Sequence, residues 1–112
     1  MGHNEKITSK QSGLPLIKPM EPVLIHQLPE KMNYVAQIKW DGIRILANIY
    51  DDDIQLYTRN MQLRTLTYPE IVMELSTQFA GRQLILDGEC VAIKDGKPDF
   101  FQVLKRDRIK NL

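Results

Sequence analysis

Apolar and polar positions along this chain follow two different periods, and the change between them marks out the expected elements. Tyr34-Val35-Ala36-Gln37-Ile38-Lys39 alternates loosely and is rich in strand formers. Arg44 to Tyr50 reads as a second strand and Ile54 to Thr58 as a third, with Asp51-Asp52-Asp53 between them as a hairpin turn. From Tyr68-Pro69-Glu70 the period lengthens. Ile71, Val72, Leu75 and Phe79 fall on one helical face, Pro69 suits the first turn and Gly81 the stop. Leu84-Ile85-Leu86 and Cys90-Val91-Ala92-Ile93 are two further strand-like runs, separated by Asp87-Gly88-Glu89. Lys94 to Pro98 is a turn by composition, and Asp99 can cap a last helix starting near Phe100. The sum predicts an α+β domain, mainly an antiparallel sheet with flanking helices.

The ends of the chain read differently. Residues 1–13 are polar, unpatterned and end in Ser12-Gly13, so a flexible leader is expected, with the domain spanning 14–112. Pro15, Pro19, Pro22 and Pro29 forbid a long helix after it and predict an extended segment lying across the domain. With 112 residues the chain supports one core. A net charge of +1 does not announce a polyanion binder, so any basic surface must come from clustering, as at Lys105, Arg106, Arg108 and Lys110. That run reads equally well as a solvated helix face and as a nucleic-acid contact. Every apolar run is short, which predicts no membrane span, and the single Cys90 rules out an internal disulfide and fits a reducing, cytoplasmic setting.

Chemistry concentrates in four places. Lys39-Trp40-Asp41-Gly42-Ile43-Arg44 puts a lysine where the first expected strand ends and the second begins, with Gly42 free to turn or to approach a neighbour closely. Alone it could be a β-turn with a surface lysine. Tyr57-Thr58-Arg59-Asn60 closes the third expected strand with a cation and an amide. Leu86-Asp87-Gly88-Glu89 sets two carboxylates two residues apart, hence on one face of a strand. Phe101-Gln102-Val103-Leu104-Lys105-Arg106 is an aromatic residue opening a basic helix. Together these supply a nucleophile, cations for phosphate, oxygens for a metal and a stacking platform, the parts that nucleotidyl transfer needs. Other residues read blandly: the aspartate triplet as a solvated hairpin tip, His3 as an unpatterned leader residue, His26 as a surface residue, Cys90 as a small core residue, and Trp40 as packing beside the site.

In order and spacing these motifs resemble the adenylation domain of ATP-dependent DNA ligases, particularly the compact bacterial end-joining and phage type. Lys-x-Asp-Gly-x-Arg resembles that family's nucleotidyl-lysine motif, with Trp40 where tyrosine is usual. Thr58-Arg59-Asn60 resembles its Ser/Thr-Arg-Asn-Gly motif, with Met61 in the glycine's place. Leu-Asp-Gly-Glu-Cys-Val-Ala resembles its third motif, and Phe-x-x-Leu-x-Arg the segment that stacks on the base. The likeness runs from about residue 14 to 108, and implies a partial ATP-grasp-like nucleotidyltransferase fold.

The resemblance implies a mechanism on named residues. Lys39 would attack the α-phosphate of ATP, expel pyrophosphate and hold AMP before its transfer to the 5′-phosphate of nicked double-stranded DNA, in repair or recombination. An ordinary lysine, with a pKa of about 10.4, is neutral in roughly one molecule in a few thousand at pH 7, so the site must free the amine by desolvation or by nearby cations such as Arg44, Arg59 and Mg²⁺. Arg44 and Arg59 would contact ribose or phosphate, and Glu89 the ribose or the Mg²⁺. Asp87 is a second metal candidate, and also a structural hydrogen-bonding group. Phe101 would stack on adenine, with Gln37 and Ile38 lining the base. The family's later motifs and the oligonucleotide-binding domain find no counterpart in the sequence. The expectation is therefore an N-terminal portion with little ligation activity alone, completed by a separate chain or left as a non-catalytic remnant. RNA ligases and mRNA-capping guanylyltransferases share the lysine hexad and are the alternative enzymes.

Overall fold

In the computed structural model, residues 14–31 and 33–109 are described; the expected leader at 1–13, His3 and Lys110 lie outside them. Three antiparallel strands form the main sheet: β1 (Ile43–Tyr50), β2 (Asp53–Thr58) and β3 (Gln83–Cys90), in the order β2-β1-β3. The β1–β2 hairpin closes through Asp51-Asp52, with Tyr50 opposite Asp53 and Asp51 at φ 55, a left-handed conformation that aspartate tolerates better than most residues. Helix α1 (Pro69–Gln78) starts on its proline as expected, and Gly81, at φ 74, turns the chain into β3. A short hairpin follows, β4 (Ile93–Lys94) and β5 (Lys97–Pro98), then helix α2 (Phe100–Asp107). The carboxylate of Asp99 caps α2, accepting from the Gln102 amide at 3.2 Å. None of the helices among the described residues is long and apolar enough to cross a membrane.

Alternation in β1 divides the sheet into two unlike faces. Ile45, Ala47 and Ile49 point one way and join Ile54, Leu56 and Tyr68 in the core, against which Ile71, Val72 and Leu75 of α1 and Phe79 at its C-terminal cap pack. Each such apolar side chain contributes roughly 1.5–3 kcal/mol when fully buried. Arg44, Leu46 and Asn48 point the other way. There Leu46 and Tyr57 form a smaller cluster with Leu16 and Leu63, and Asn48 accepts from the Tyr57 hydroxyl at 3.2 Å. The proline-rich segment lies across this second face only at its start: Leu16 packs there and Pro19 is buried, but residues 21–28 are exposed.

Three expectations need correction. Residues 34–39 form no strand; they run exposed and without regular structure into β1. Strand propensity reflects fit to a half-buried pleated surface, and here both edges of β1 are already taken by β2 and β3, leaving this segment none of β1 to pair with. Asp87-Gly88-Glu89 does not separate two strands but lies inside β3, and the apolar run after it breaks at Val91-Ala92. Trp40, expected to pack beside the site, is 48% exposed and belongs to neither hydrophobic cluster.

Helix α2 is held by a polar knot. Arg64, only 7% exposed, pairs with Asp107 through Nε at 2.8 Å and Nη2 at 3.3 Å, and the Tyr68 hydroxyl donates to the same carboxylate at 2.7 Å. Arg106 donates to the Thr67 carbonyl and to both oxygens of Glu70, with its guanidinium 5.8 Å from the Tyr68 ring centroid. One residue of the C-terminal basic run, Arg106, is therefore committed, with the Arg64–Asp107 pair, to holding α2 against the start of α1. Removing one partner of a shielded pair strands the other charge. Asp107→Ala should therefore lower stability by about 2–3 kcal/mol, whereas Asp107→Asn, which keeps an acceptor for Tyr68, should cost less; urea unfolding of both variants measures this.

Candidate nucleotide site

The polar face of the sheet opens at one end into a cavity of about 430 Å³, lined by Gly42, Arg44, Thr58, Arg59, Gln62, Arg64, Glu89 and Phe100, among others. Three separate stretches of chain meet there because of register. Arg44 lies directly opposite Glu89 across β1–β3, and Ile45 lies opposite Thr58 across β1–β2. The cavity thus collects three guanidinium groups and one carboxylate around an opening suited to an anionic, hydroxyl-bearing ligand.

The turn that carries Arg59 is built by Thr58. Its amide donates to the Gln62 carbonyl at 2.9 Å, its carbonyl accepts from Met61, and its hydroxyl accepts from the Asn60 and Gln62 amides. The three-residue loop Arg59–Met61 ends on a left-handed residue, Met61 at φ 64, as such loops require. This is the conformational reason for a glycine in that place, and methionine occupies it at a cost. Beyond the loop, Leu63 bridges Tyr57 and the Thr65 hydroxyl accepts from the Leu56 amide, closing the outer edge of β2.

Gly42 meets an even tighter constraint. A β-carbon there would lie 2.2 Å from the Cys90 carbonyl oxygen and 2.8 Å from Val91 Cγ1. The hexad glycine therefore lets the chain enter β1 hard against the end of β3, which fixes where Lys39 to Asp41 leave the sheet.

Arg44 and Asp87 form a two-pronged pair, Nε to Oδ1 at 3.0 Å and Nη2 to Oδ2 at 2.6 Å, while Arg44 Nη1 donates to the Met20 carbonyl. These contacts pull the Arg44 pKa up, mainly through its hydrogen bond to Asp87, and hold the Asp87 carboxyl below its ordinary value through the same bond. Both oxygens of Asp87 are thus engaged by a cation. The Glu89 side chain, exposed on the same face, makes no hydrogen bond or ion pair among the described residues. No group of three or more His, Cys, Asp or Glu able to hold a metal occurs among them either. A divalent ion here would rest on Glu89 and on ligand phosphates, an arrangement that Mg²⁺ commonly adopts.

The remaining candidates lie apart. Lys39, Gln37 and Ile38 sit on the exposed segment before β1 and do not line this cavity. Phe101 is 80% exposed and faces a neighbouring cavity of about 560 Å³ together with Asp41, Lys94 and Lys97; Phe100 borders both cavities. Cys90 is half-buried against the core, and burial pushes its thiol up to about 11, so it is not a thiolate at neutral pH. Arg64, Gln62 and Phe100 line the candidate site, and the motif reading did not single them out. Nothing in their local sequence distinguishes them, and they enter the site through the Thr58 turn and the seating of α2.

Two outcomes follow from this geometry. Gly42→Ala should destabilise the fold by about 2 kcal/mol or more, since backbone cannot yield as a side chain can, with loss of the Ile43–Cys90 amide protection in hydrogen exchange. Met61→Gly should leave stability unchanged or raise it by up to about 1 kcal/mol, relief of left-handed strain outweighing added freedom in the unfolded chain. Urea midpoints measure both.

A family model described as ATP dependent DNA ligase domain matches residues 16–111. Among curated relatives, a DNA ligase of Thermococcus fumicolans is 40% identical over 103 residues, covering 83% of this chain and 18% of that protein. The SPbeta prophage-derived DNA ligase-like protein LigB of Bacillus subtilis is 37% identical over 91 residues, covering 78% of this chain and 32% of that protein. A solved structure described as mycobacterial DNA ligase D complexed with ATP and MES superposes with a TM-score of 0.55 at 31% identity, over 65% of this chain and 24% of that one. The chain spans between about a fifth and a third of the length of the relatives it matches.

Proposed function

The chain belongs to the ATP dependent DNA ligase domain family, and we propose that it carries the nucleotide-accepting front of a DNA ligase, with Lys39 as the residue that takes AMP. The observation that carries this reading is the cavity: Arg44, Arg59 and Glu89, drawn from three different motifs, line one opening at the end of the strand that Lys39 leads into. The relative complexed with ATP shares this fold.

In the proposed reaction the neutral Nζ of Lys39 attacks the α-phosphorus of ATP. A P–N bond forms, the bond to the bridging oxygen breaks, pyrophosphate departs with that electron pair, and the amine releases a proton to solvent. Arg59 and Arg44 stabilise the charge that gathers on the phosphate oxygens. Arg44 is held in place for this by Asp87, so Asp87 acts as a positioning residue rather than a metal ligand. Glu89 takes the ribose or, with the phosphates, a Mg²⁺ that would further neutralise the leaving group. Phe101 and its neighbour Phe100 offer aromatic faces for the base at the border of the two cavities, with Gln37 and Ile38 closing over it when the exposed segment folds down. In the complete ligase reaction AMP passes to the 5′-phosphate at a nick in double-stranded DNA, and the 3′-hydroxyl then displaces it to seal the strand.

The experiment is direct. Incubated with Mg²⁺ and ATP labelled in the α-phosphate, the denatured chain should retain label, and Lys39→Ala should lose it by at least a hundredfold. Label from GTP instead of ATP would indicate capping chemistry. A folded protein that retains no label from either would overturn the assignment of Lys39.

A further inference from the structure

The cavity holds one polar atom that neither the fold nor the proposed reaction uses. The side-chain oxygen of Gln62 is buried and finds no hydrogen-bond donor among the described residues. The residue itself is fixed, since its carbonyl accepts from Thr58 and its amide donates to the Thr58 hydroxyl at 3.2 Å. The residue lines the same cavity as Arg44, Arg59 and Glu89. Two of the three guanidinium groups lining the cavity bond elsewhere, Arg44 with Asp87 and Met20 and Arg64 with Asp107 and Leu63, and the third, Arg59, makes no hydrogen bond to this oxygen. Asn48 Nδ2 is also buried without an acceptor, but it lies beside Tyr57 within the sheet and does not line the cavity.

An amide oxygen kept from water and from any donor is costly, and a ligand donor reaching it removes that cost. The oxygen can only accept, so it repels phosphate oxygens and selects hydroxyl or amino hydrogens. In a cavity whose cations take the phosphates, the donors left on a nucleoside triphosphate are the ribose hydroxyls and the exocyclic amine. We propose that Gln62 is a specificity-determining residue, its side-chain oxygen accepting a hydrogen bond from a ribose hydroxyl or the exocyclic amine of the bound nucleotide. This rests on the cavity being the nucleotide site, but not on Lys39 being the acceptor of AMP.

A site built to hydrogen-bond a ligand donor discriminates against the analogue that lacks it. Equilibrium titration of the full chain with ATP, 2′-deoxyATP, 3′-deoxyATP and the triphosphate of purine riboside, which lacks the amine, separates the possible donors. Wild type should bind one analogue about tenfold more weakly than ATP. Gln62→Met, close in shape but without the acceptor, should weaken ATP by a similar factor and leave that one analogue unchanged. Equal wild-type affinity for all four ligands, or no binding of ATP, would overturn the proposal without reference to any variant. So would a Gln62→Met effect of the same size on every ligand. ATP binding with no label on Lys39 would overturn the Lys39 assignment instead, and the analogue series would still decide this one.

Discussion

Strand β1 is paired along both edges, to β2 on one side and β3 on the other, and alternation along its eight residues then has nowhere to slip. A shift of one residue would turn Ile45, Ala47 and Ile49 away from α1 and push Arg44 and Asn48 into the apolar core. Register is therefore set by burial on one face, and the other face inherits its geometry. Arg44 falls opposite Glu89 and one alternation from Asp87, while Ile45 falls opposite Thr58, where the Arg59 turn begins. The candidate site is a by-product of how the core must pack.

That dependence explains why the residues closest to the strand end are the least forgiving. Gly42 is held by the Cys90 carbonyl, a backbone atom locked in the β1–β3 ladder, so the hexad cannot move without loosening the sheet. Thr58 uses both backbone groups and its hydroxyl to shape one tight loop, and Met61 accepts a left-handed backbone to close it. A group that must contact phosphate to within a few tenths of an ångström benefits from such rigid support. The segment carrying Lys39 has no comparable support. It is exposed, so the lysine proposed as nucleophile stands outside the wall that Arg44 and Arg59 form.

The electrostatics follow the same division. Arg106 reads as part of a basic cluster in the sequence, yet it is tied to Glu70 and, with the Arg64–Asp107 pair, serves to seat α2. Arg44 is tied to Asp87, though its pair is open to water and can rearrange, since exposed pairs hold only weakly. Arg59, exposed at the tip of its loop, is the cation most available to a ligand. Charge counting alone does not separate these roles; burial and partners do.

Much was legible in the chain itself. Alternation from Arg44 to Thr58, the aspartates at the hairpin, the helical spacing from Ile71 to Phe79 and the Asp99 cap are local signals, decided within a few residues of one another, and the structure follows them. The four motifs likewise identified the ligase family from residue order alone. What tertiary structure decided is whatever depends on partners more than forty residues away. Residues 34–39 have strand composition but no edge of β1 to join, so they stay open. Asp87 could have been a metal ligand or a structural group until Arg44, 43 residues earlier, took both its oxygens. Phe100 borders the arginine-lined cavity while Phe101 faces its neighbour, a matter of how the Arg64–Asp107 pair seats α2. Gln62 carries no local mark at all. Only the tertiary structure leaves its amide oxygen buried without a donor, in a residue that lines the cavity.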